Sequence, residues 1–283
     1  MLIQWFPGHM TKTKRMIESH LKAVDVVAEL LDARIPMSSA NPMVEELVQG
    51  KPRIVILNKA DLADPKATDR WISYYQKKNI PVVPMSVGNS KNKKKLLALI
   101  RETAEPMLAK WRKRGIKSRS VRLMILGIPN VGKSTLINFL AGTAATRTAN
   151  TPGHTRGKQW VRLSEGLDLL DTPGVLWPKF DDPIVGDRLA FIGSVKDAVL
   201  DVETMAVRLI DVLREGYPER LAERYKLDDI TDMQSWEILE AIGRKRGMLI
   251  SGGEVNTERA SVMLLDEYRG GKLGRISMEF PPS

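Results

Sequence analysis

The chain has 283 residues, of which 43% are hydrophobic and 28% charged, a composition that suits two globular domains. It has no cysteine and only three scattered histidines (His9, His20, His154), which excludes disulfides, thiolate metal sites, a cysteine nucleophile and a zinc cluster. With 44 Lys and Arg against 34 Asp and Glu the net charge is +10, which favours a polyanionic partner such as nucleic acid.

No apolar run approaches a membrane span, and "MLIQWFPGHMTKTKRM" lacks a secretory core, so no membrane association and a cytoplasmic location are expected. In chain order, residues 10–22 have helical spacing. "VDVVAELLDAR" (Val24–Arg34) contains a buried-strand run ending at Asp32, followed by a loop with Pro36 and Pro42 and a short helix near Met43–Gln49. "RIVIL" (Arg53–Leu57) is a strand, Pro65–Lys78 a helix and "IPVVPMSVG" (Ile80–Gly88) a strand with a terminal loop. Lys94–Trp111 is helical, "VRLMILG" (Val121–Gly127) a strand and Ser134–Ala141 a helix start. A Thr/Gly/Pro-rich loop (Gly142–Lys158) leads to the strands "QWVRL" and "LDLLD", the latter ending at Asp171. Strands apolar on both faces, alternating with helices, predict an α/β doubly wound, parallel-rich sheet. Beyond about Pro183 the strand signal fades. "VETMAVRLIDVLREG", "MQSWEILEAIGRKRG" and "NTERASVMLLDEYRGG" predict a small all-α domain. The expected domains are therefore 1–180 and 181–283. Two basic clusters, "SKNKKK" (Ser90–Lys95) and "KWRKRGIKSRSVR" (Lys110–Arg122), suggest an electropositive edge for a phosphate backbone.

"GIPNVGKS" (Gly127–Ser134) fits G-x-x-x-x-G-K-[ST] between a strand and a helix. Amides of Asn130, Val131, Gly132, Lys133 and Ser134 would face phosphates, with Thr135 next in the run. Lys133 would reach the β- and γ-phosphates and the Ser134 hydroxyl a Mg²⁺ ion. "LLDTPG" (Leu169–Gly174) places Asp171 for the Mg²⁺ shell and the Gly174 amide for the γ-phosphate. "NKAD" (Asn58–Asp61) supplies a guanine preference: the Asp61 carboxylate accepts from N1–H and the exocyclic amine, Lys59 packs along the base, and Asn58 braces the loop. "SVG", with Ser86 and Val87, is placed for guanine O6, although alone it reads equally as a turn. The base motif precedes the P-loop, the reverse of the usual order.

These phrases resemble those of circularly permuted P-loop GTPases. "WFPGHM", "DARIPMSSANP", "PNVGKSTLIN", "DTPGVLWPKF" and the helical tail are together similar to the bacterial ribosome biogenesis GTPase A family, nearly end to end. The resemblance implies a P-loop GTPase sheet in permuted order followed by a small all-α domain that binds RNA or the ribosome. It also implies a GTP-to-GDP hydrolase, stimulated by the ribosomal particle, that docks on precursor large (50S) subunits through rRNA and is released on hydrolysis. It implies Mg²⁺ as cofactor with K⁺ beside it, and a monomer off the ribosome. Within the family pattern, Thr155 matches the switch threonine that completes Mg²⁺ coordination, and Asn130 matches the asparagine that holds an activating K⁺. His9 is the family's candidate for positioning the attacking water; His154 is the runner-up and His20 an ordinary helix residue. His9, Lys133, Thr155 and Gly174 are thus expected to bear on hydrolysis. Val175 stands where a glutamine would orient water in small signalling GTPases, and no arginine finger is assignable. That leaves open a GTP-dependent RNA-binding module with incidental hydrolysis; a GTPase of tRNA modification is a further alternative. The reversed order makes the chain pass from the magnesium loop directly into the helical domain, an arrangement expected to couple nucleotide state to that domain.

Overall fold

The computed structural model describes residues 7–48, 50–116, 119–142, 160–163, 166–170, 172, 174, 182–195, 197 and 200–282, with side chains from residue 14 onward. The chain divides into two compact units, Ile3–Phe180 joined by Glu279–Ser283, and Asp181–Met278. The helical unit is therefore not the end of the chain: the last residues return to the first unit, where the sequence reading had carried the helical domain through residue 283.

The first unit opens with α1 (Pro7–Leu21) and β1 (Val26–Asp32). The short helices α2 (Pro36–Ser39) and α3 (Pro42–Leu47) follow, then β2 (Arg53–Asn58), α4 (Pro65–Lys77) and β3 (Val82–Met85). Next come α5 (Ser90–Lys113), β4 (Val121–Gly127), α6 (Lys133–Ala141), β5 (Trp160–Leu163) and β6 (Leu167–Leu170). One sheet has the order β3-β2-β1-β4-β6-β5. All pairings are parallel except β5 with β6. Every residue of β1 is buried, as expected of an interior parallel strand covered on both faces. On one face, Ile17 and Leu21 of α1 pack with Val27, Met124, Leu126 and Leu170. On the other, Trp71 and Tyr75 of α4 pack with Leu31, Val55 and Leu57. The doubly wound sheet is thus as the strand pattern predicts.

Prolines mark helix starts: at Pro36 and Pro42 the sequence suggests a loop, and at Pro65 a helix, as found. Pro36, Pro42 and Pro65 each occupy the first turn of a helix, where the missing N–H leaves no bond unmade. Asn41 and Asp64 cap α3 and α4 by accepting from Met43 N and from Lys66 N and Ala67 N. Asn89 caps α5 in the same way, so that helix begins at Ser90, four residues before the apolar periodicity, and runs for about 36 Å.

The second unit contains α7 (Pro183–Phe191), α8 (Val202–Gly216), α9 (Pro218–Tyr225), α10 (Ser235–Lys245) and α11 (Thr257–Arg269). Leu189, Leu209, Leu213, Leu221, Ile238, Ile242, Leu264 and Tyr268 are among its buried residues. An isolated bridge between Leu249 and Val255 closes the turn after α10. Val255 lies so close to Gly243 that an added methyl there would overlap it. Helix α9 escaped the sequence reading because eight residues give too little periodicity.

Candidate nucleotide site

Four loops leave the C-terminal edges of neighbouring strands, where an open parallel sheet places its ligands. β2 delivers NKAD, β4 the P-loop and β3 the SVG turn; β1 lies between β2 and β4 and ends at Asp32. Motifs about 70 residues apart in sequence therefore meet without any change in the sheet.

The P-loop is shaped by two left-handed residues, Asn130 (φ 57°) and Gly132 (φ 99°). Such alternation turns successive amides into an anion-binding concavity, here continuing into the first turn of α6. Gly132 has a second reason to be glycine: a Cβ there would stand 2.5 Å from the Asn58 amide nitrogen. Gly127 leaves room for the backbone of Leu30, whose oxygen would be 2.8 Å from an added Cβ. Lys133 is buried, whereas Ser134, Thr135 and Asn130 are exposed.

The base motif is tied directly to this loop. Asn58 Nδ2 donates to the Val131 carbonyl at 2.8 Å, and Lys59 Nζ donates to the Asn130 carbonyl at 3.0 Å. Lys59 itself is left-handed (φ 56°), which swings its side chain back over the P-loop. Asp61 is exposed, free to face a base edge. The Ala60 amide donates to Met85 O at 3.0 Å, joining NKAD to the base of the SVG turn. In that turn Gly88 is left-handed (φ 95°), Ser86 half-buried and Val87 exposed.

Sequence reasoning missed Asp32. Its fully buried carboxylate accepts from Arg34 Nε at 2.9 Å and Nη2 at 2.8 Å, and pairs with Lys59 Nζ at 3.1 Å. Burial alone would raise its pKa; the Arg34 guanidinium, helped by Lys59, holds it instead at about 2. Burial lowers the Lys59 pKa, and the Asp32 carboxylate opposes that fall. The available signal was an acidic residue closing a largely apolar strand beside two nucleotide loops.

On the phosphate side, Gly174 lies against the P-loop: a Cβ there would meet Pro129 N and Cα at 2.9 Å. Buried Thr172 donates to Ile125 O at 2.6 Å, fixing the start of this loop on β4. Asp171, Thr155, His154 and Val175 lie outside the described residues, as does the His9 side chain. The His9 backbone belongs to the first turn of α1. α1 is followed after four residues by β1, and its Ile17 and Leu21 pack on the sheet. His20 is buried near the end of the same helix.

The basic stretches are partly anchored. Lys91, Lys94 and Lys95 are exposed near the start of α5, and Lys110, Arg112 and Lys113 near its end. Arg119 instead stacks over Trp111 at 3.9 Å and pairs with Asp25, and Arg122 lies over Trp160 at 5.3 Å. Among the described residues no helix is long and apolar enough to cross a membrane.

A phosphate loop locked to an N-K-x-D motif, on a doubly wound sheet whose chain order brings the second before the first, defines a circularly permuted P-loop GTPase. A family model described as a 50S ribosome-binding GTPase matches residues 122–241, beginning at the P-loop strand and so leaving NKAD outside the match. A ribosome biogenesis GTPase A from Bacillus cereus is 45% identical over 99% of this chain and 95% of that protein. The GNP-bound structure of YlqF from T. maritima is similar with a TM-score of 0.68, at 30% identity over 96% of this chain and 99% of that one. A GDP-bound YlqF structure gives 0.70 at 29% identity, covering 94% and 99%. This chain belongs to the ribosome biogenesis GTPase A family.

Proposed function

We propose that this protein hydrolyses GTP to GDP and phosphate as an assembly factor, binding precursors of the large ribosomal subunit through rRNA and leaving them on hydrolysis. The observation that carries the reading is the pair of hydrogen bonds from Asn58 and Lys59 to the P-loop carbonyls, since it joins guanine selection to phosphate binding. Asp61, Ser86 and Val87 read the base; the amides of Asn130, Val131, Gly132, Lys133, Ser134 and Thr135 cradle the phosphates with Gly174. The exposed Ser134 hydroxyl, in the first turn of α6 beside an anion-binding loop, fits a Mg²⁺ site, with Asp171 and Thr155 as its further holders. When bound, Mg²⁺ neutralises charge building on the phosphate oxygens. Asn130 offers an exposed side chain to K⁺ at the same loop. His9, carried by the first turn of α1, positions the attacking water in place of the glutamine that Val175 replaces.

The exposed lysines of α5 and the helical unit supply the rRNA contact, and the protein acts in the cytoplasm as a monomer off the particle. The test is turnover of GTP and xanthosine triphosphate by wild type and Asp61→Asn in K⁺ buffer, with and without large-subunit precursors. Wild type should be stimulated by particles. Loss of two charge-assisted hydrogen bonds, about 3 kcal/mol or more in sum, should move Asp61→Asn from GTP to the xanthosine nucleotide. Unchanged nucleotide preference overturns the base assignment. Absence of stimulation favours a binding module in which hydrolysis is incidental.

A further inference from the structure

After the helical unit the chain returns to the first unit, and Glu279 is where it attaches. Glu279 is buried, although it sits four residues from the end of the sequence. Its carboxylate accepts from the Met37 amide at 2.7 Å, from the Ser38 amide at 3.1 Å and from the Ser38 hydroxyl. Its carbonyl accepts from Trp71 Nε1 at 3.1 Å, and Arg70 lies 5.4 Å from the centre of the following Phe280 ring. The carboxylate thus satisfies the first amides of α2, which no preceding helix turn can reach. Helix α2 is in turn bonded to the end of β1: the Asp32 amide donates to Ser39 Oγ at 3.0 Å. Asp32 grips Lys59, and Lys59 holds the P-loop at Asn130. Polar contacts, linked through the Ser38–Ser39 backbone and through Asp32 itself, therefore run from the tail to the nucleotide loops, entirely within the first unit.

We propose that Glu279 is a positioning residue for the nucleotide site, setting the Lys59 side chain through α2 and Asp32. This rests on the reading of the site as a guanine-nucleotide site. A carboxylate that served only to fasten a chain end would not require the element it grips to be the one bonded to Asp32. Coupling of this kind is reciprocal: whatever the tail adds to nucleotide affinity, bound nucleotide must return to the tail.

Two measurements on the full-length protein test this. In Glu279→Ala the KM for GTP should rise about fivefold or more with kcat within about twofold, because a base-side contact is loosened and the phosphate side is not. Ser38→Ala, which deletes one donor and keeps both amides, should give a smaller rise in KM and guards against a fold defect in the first variant. In wild type, GDP should slow hydrogen exchange at the Met37 and Ser38 amides, and Glu279→Ala should abolish that protection. Variants with wild-type KM, or amides indifferent to GDP, overturn the inference even if melting falls, since the tail would then only stabilise. A wild type that binds no guanine nucleotide overturns the underlying reading, a different result from variants that bind as wild type does.

Discussion

Each unit holds a buried carboxylate among basic side chains, Asp32 in the first and Glu267 in the second, and the two are put to different use. Asp32 closes β1 at the edge where the nucleotide loops emerge, and its partners are Arg34, also fully buried, and Lys59, which goes on to touch the P-loop. Glu267 lies in α11 and ties three helices together: Arg224 of α9 at 2.9 and 2.6 Å, the Tyr225 hydroxyl at 3.0 Å, and Arg246 beyond α10 at 3.7 Å. The Arg224 hydrogen bonds, against some burial, lower the Glu267 pKa, and burial raises that of Tyr225. Similar chemistry serves stability in one case and the placing of a lysine against the P-loop in the other. What separates them is whether a partner has a second bond leading out of the cluster.

The largest effect should come from Asp32→Asn. The change keeps the shape but leaves the buried Arg34 charge uncompensated, costing about 3–5 kcal/mol of stability. It also frees Lys59, so guanine-nucleotide affinity should fall roughly tenfold, the worth of one charge-assisted bond. Chemical denaturation and GDP titration would show both losses; a stability loss with unchanged affinity would erase the distinction drawn above.

Glu267→Gln should cost less, about 1–2 kcal/mol, because Arg224 is nearly one-third exposed and water screens the pair. Its GTP affinity should match wild type. Its stability deficit should also depend on pH in a known direction. The folded-state pKa of Glu267 is depressed, so on acidification the unfolded chain takes up the proton first. The advantage of wild type over Glu267→Gln is then complete above about pH 4.5, the ordinary glutamate value, and shrinks as pH falls below it. Melting curves at pH 7, 5 and 3 check this; a deficit that grew on acidification would reverse the assignment. The smallest effect belongs to Asp64→Ala, which removes the α4 cap for about 1 kcal/mol. It is the control for destabilising the first unit without touching Asp32 or Lys59, and its nucleotide affinity should be unchanged.

The strands and the nucleotide loops were legible because both are written locally. A run such as "VDVVAELLD" needs no partner to be read as buried, and "GIPNVGKS" carries its turn geometry in its own glycines. Pro36 misled because the same fixed φ suits a loop and the first turn of a helix, and only the bonds that follow decide between them. Asp32 was visible as a strand end but not as the partner of Lys59, since that pairing exists only when β1 and β2 lie side by side. Glu279 gave no signal at all. "ISMEFPPS" has neither period nor motif, and its role depends on contacts with residues some 240 positions earlier.

Because Glu279–Ser283 belong to the first unit, the helical unit is topologically an insertion, and the nucleotide-binding unit is completed by residues that follow it in the chain. A nascent chain grown only as far as the helical unit has no Glu279 for α2 to close on. Domains fold largely as they emerge, N-terminal parts first, yet the base side of this one would acquire its last support only after the whole insertion had been made. With Glu279 acting as proposed, full affinity for guanine nucleotide waits for the segment beyond the helical unit to emerge and dock on α2.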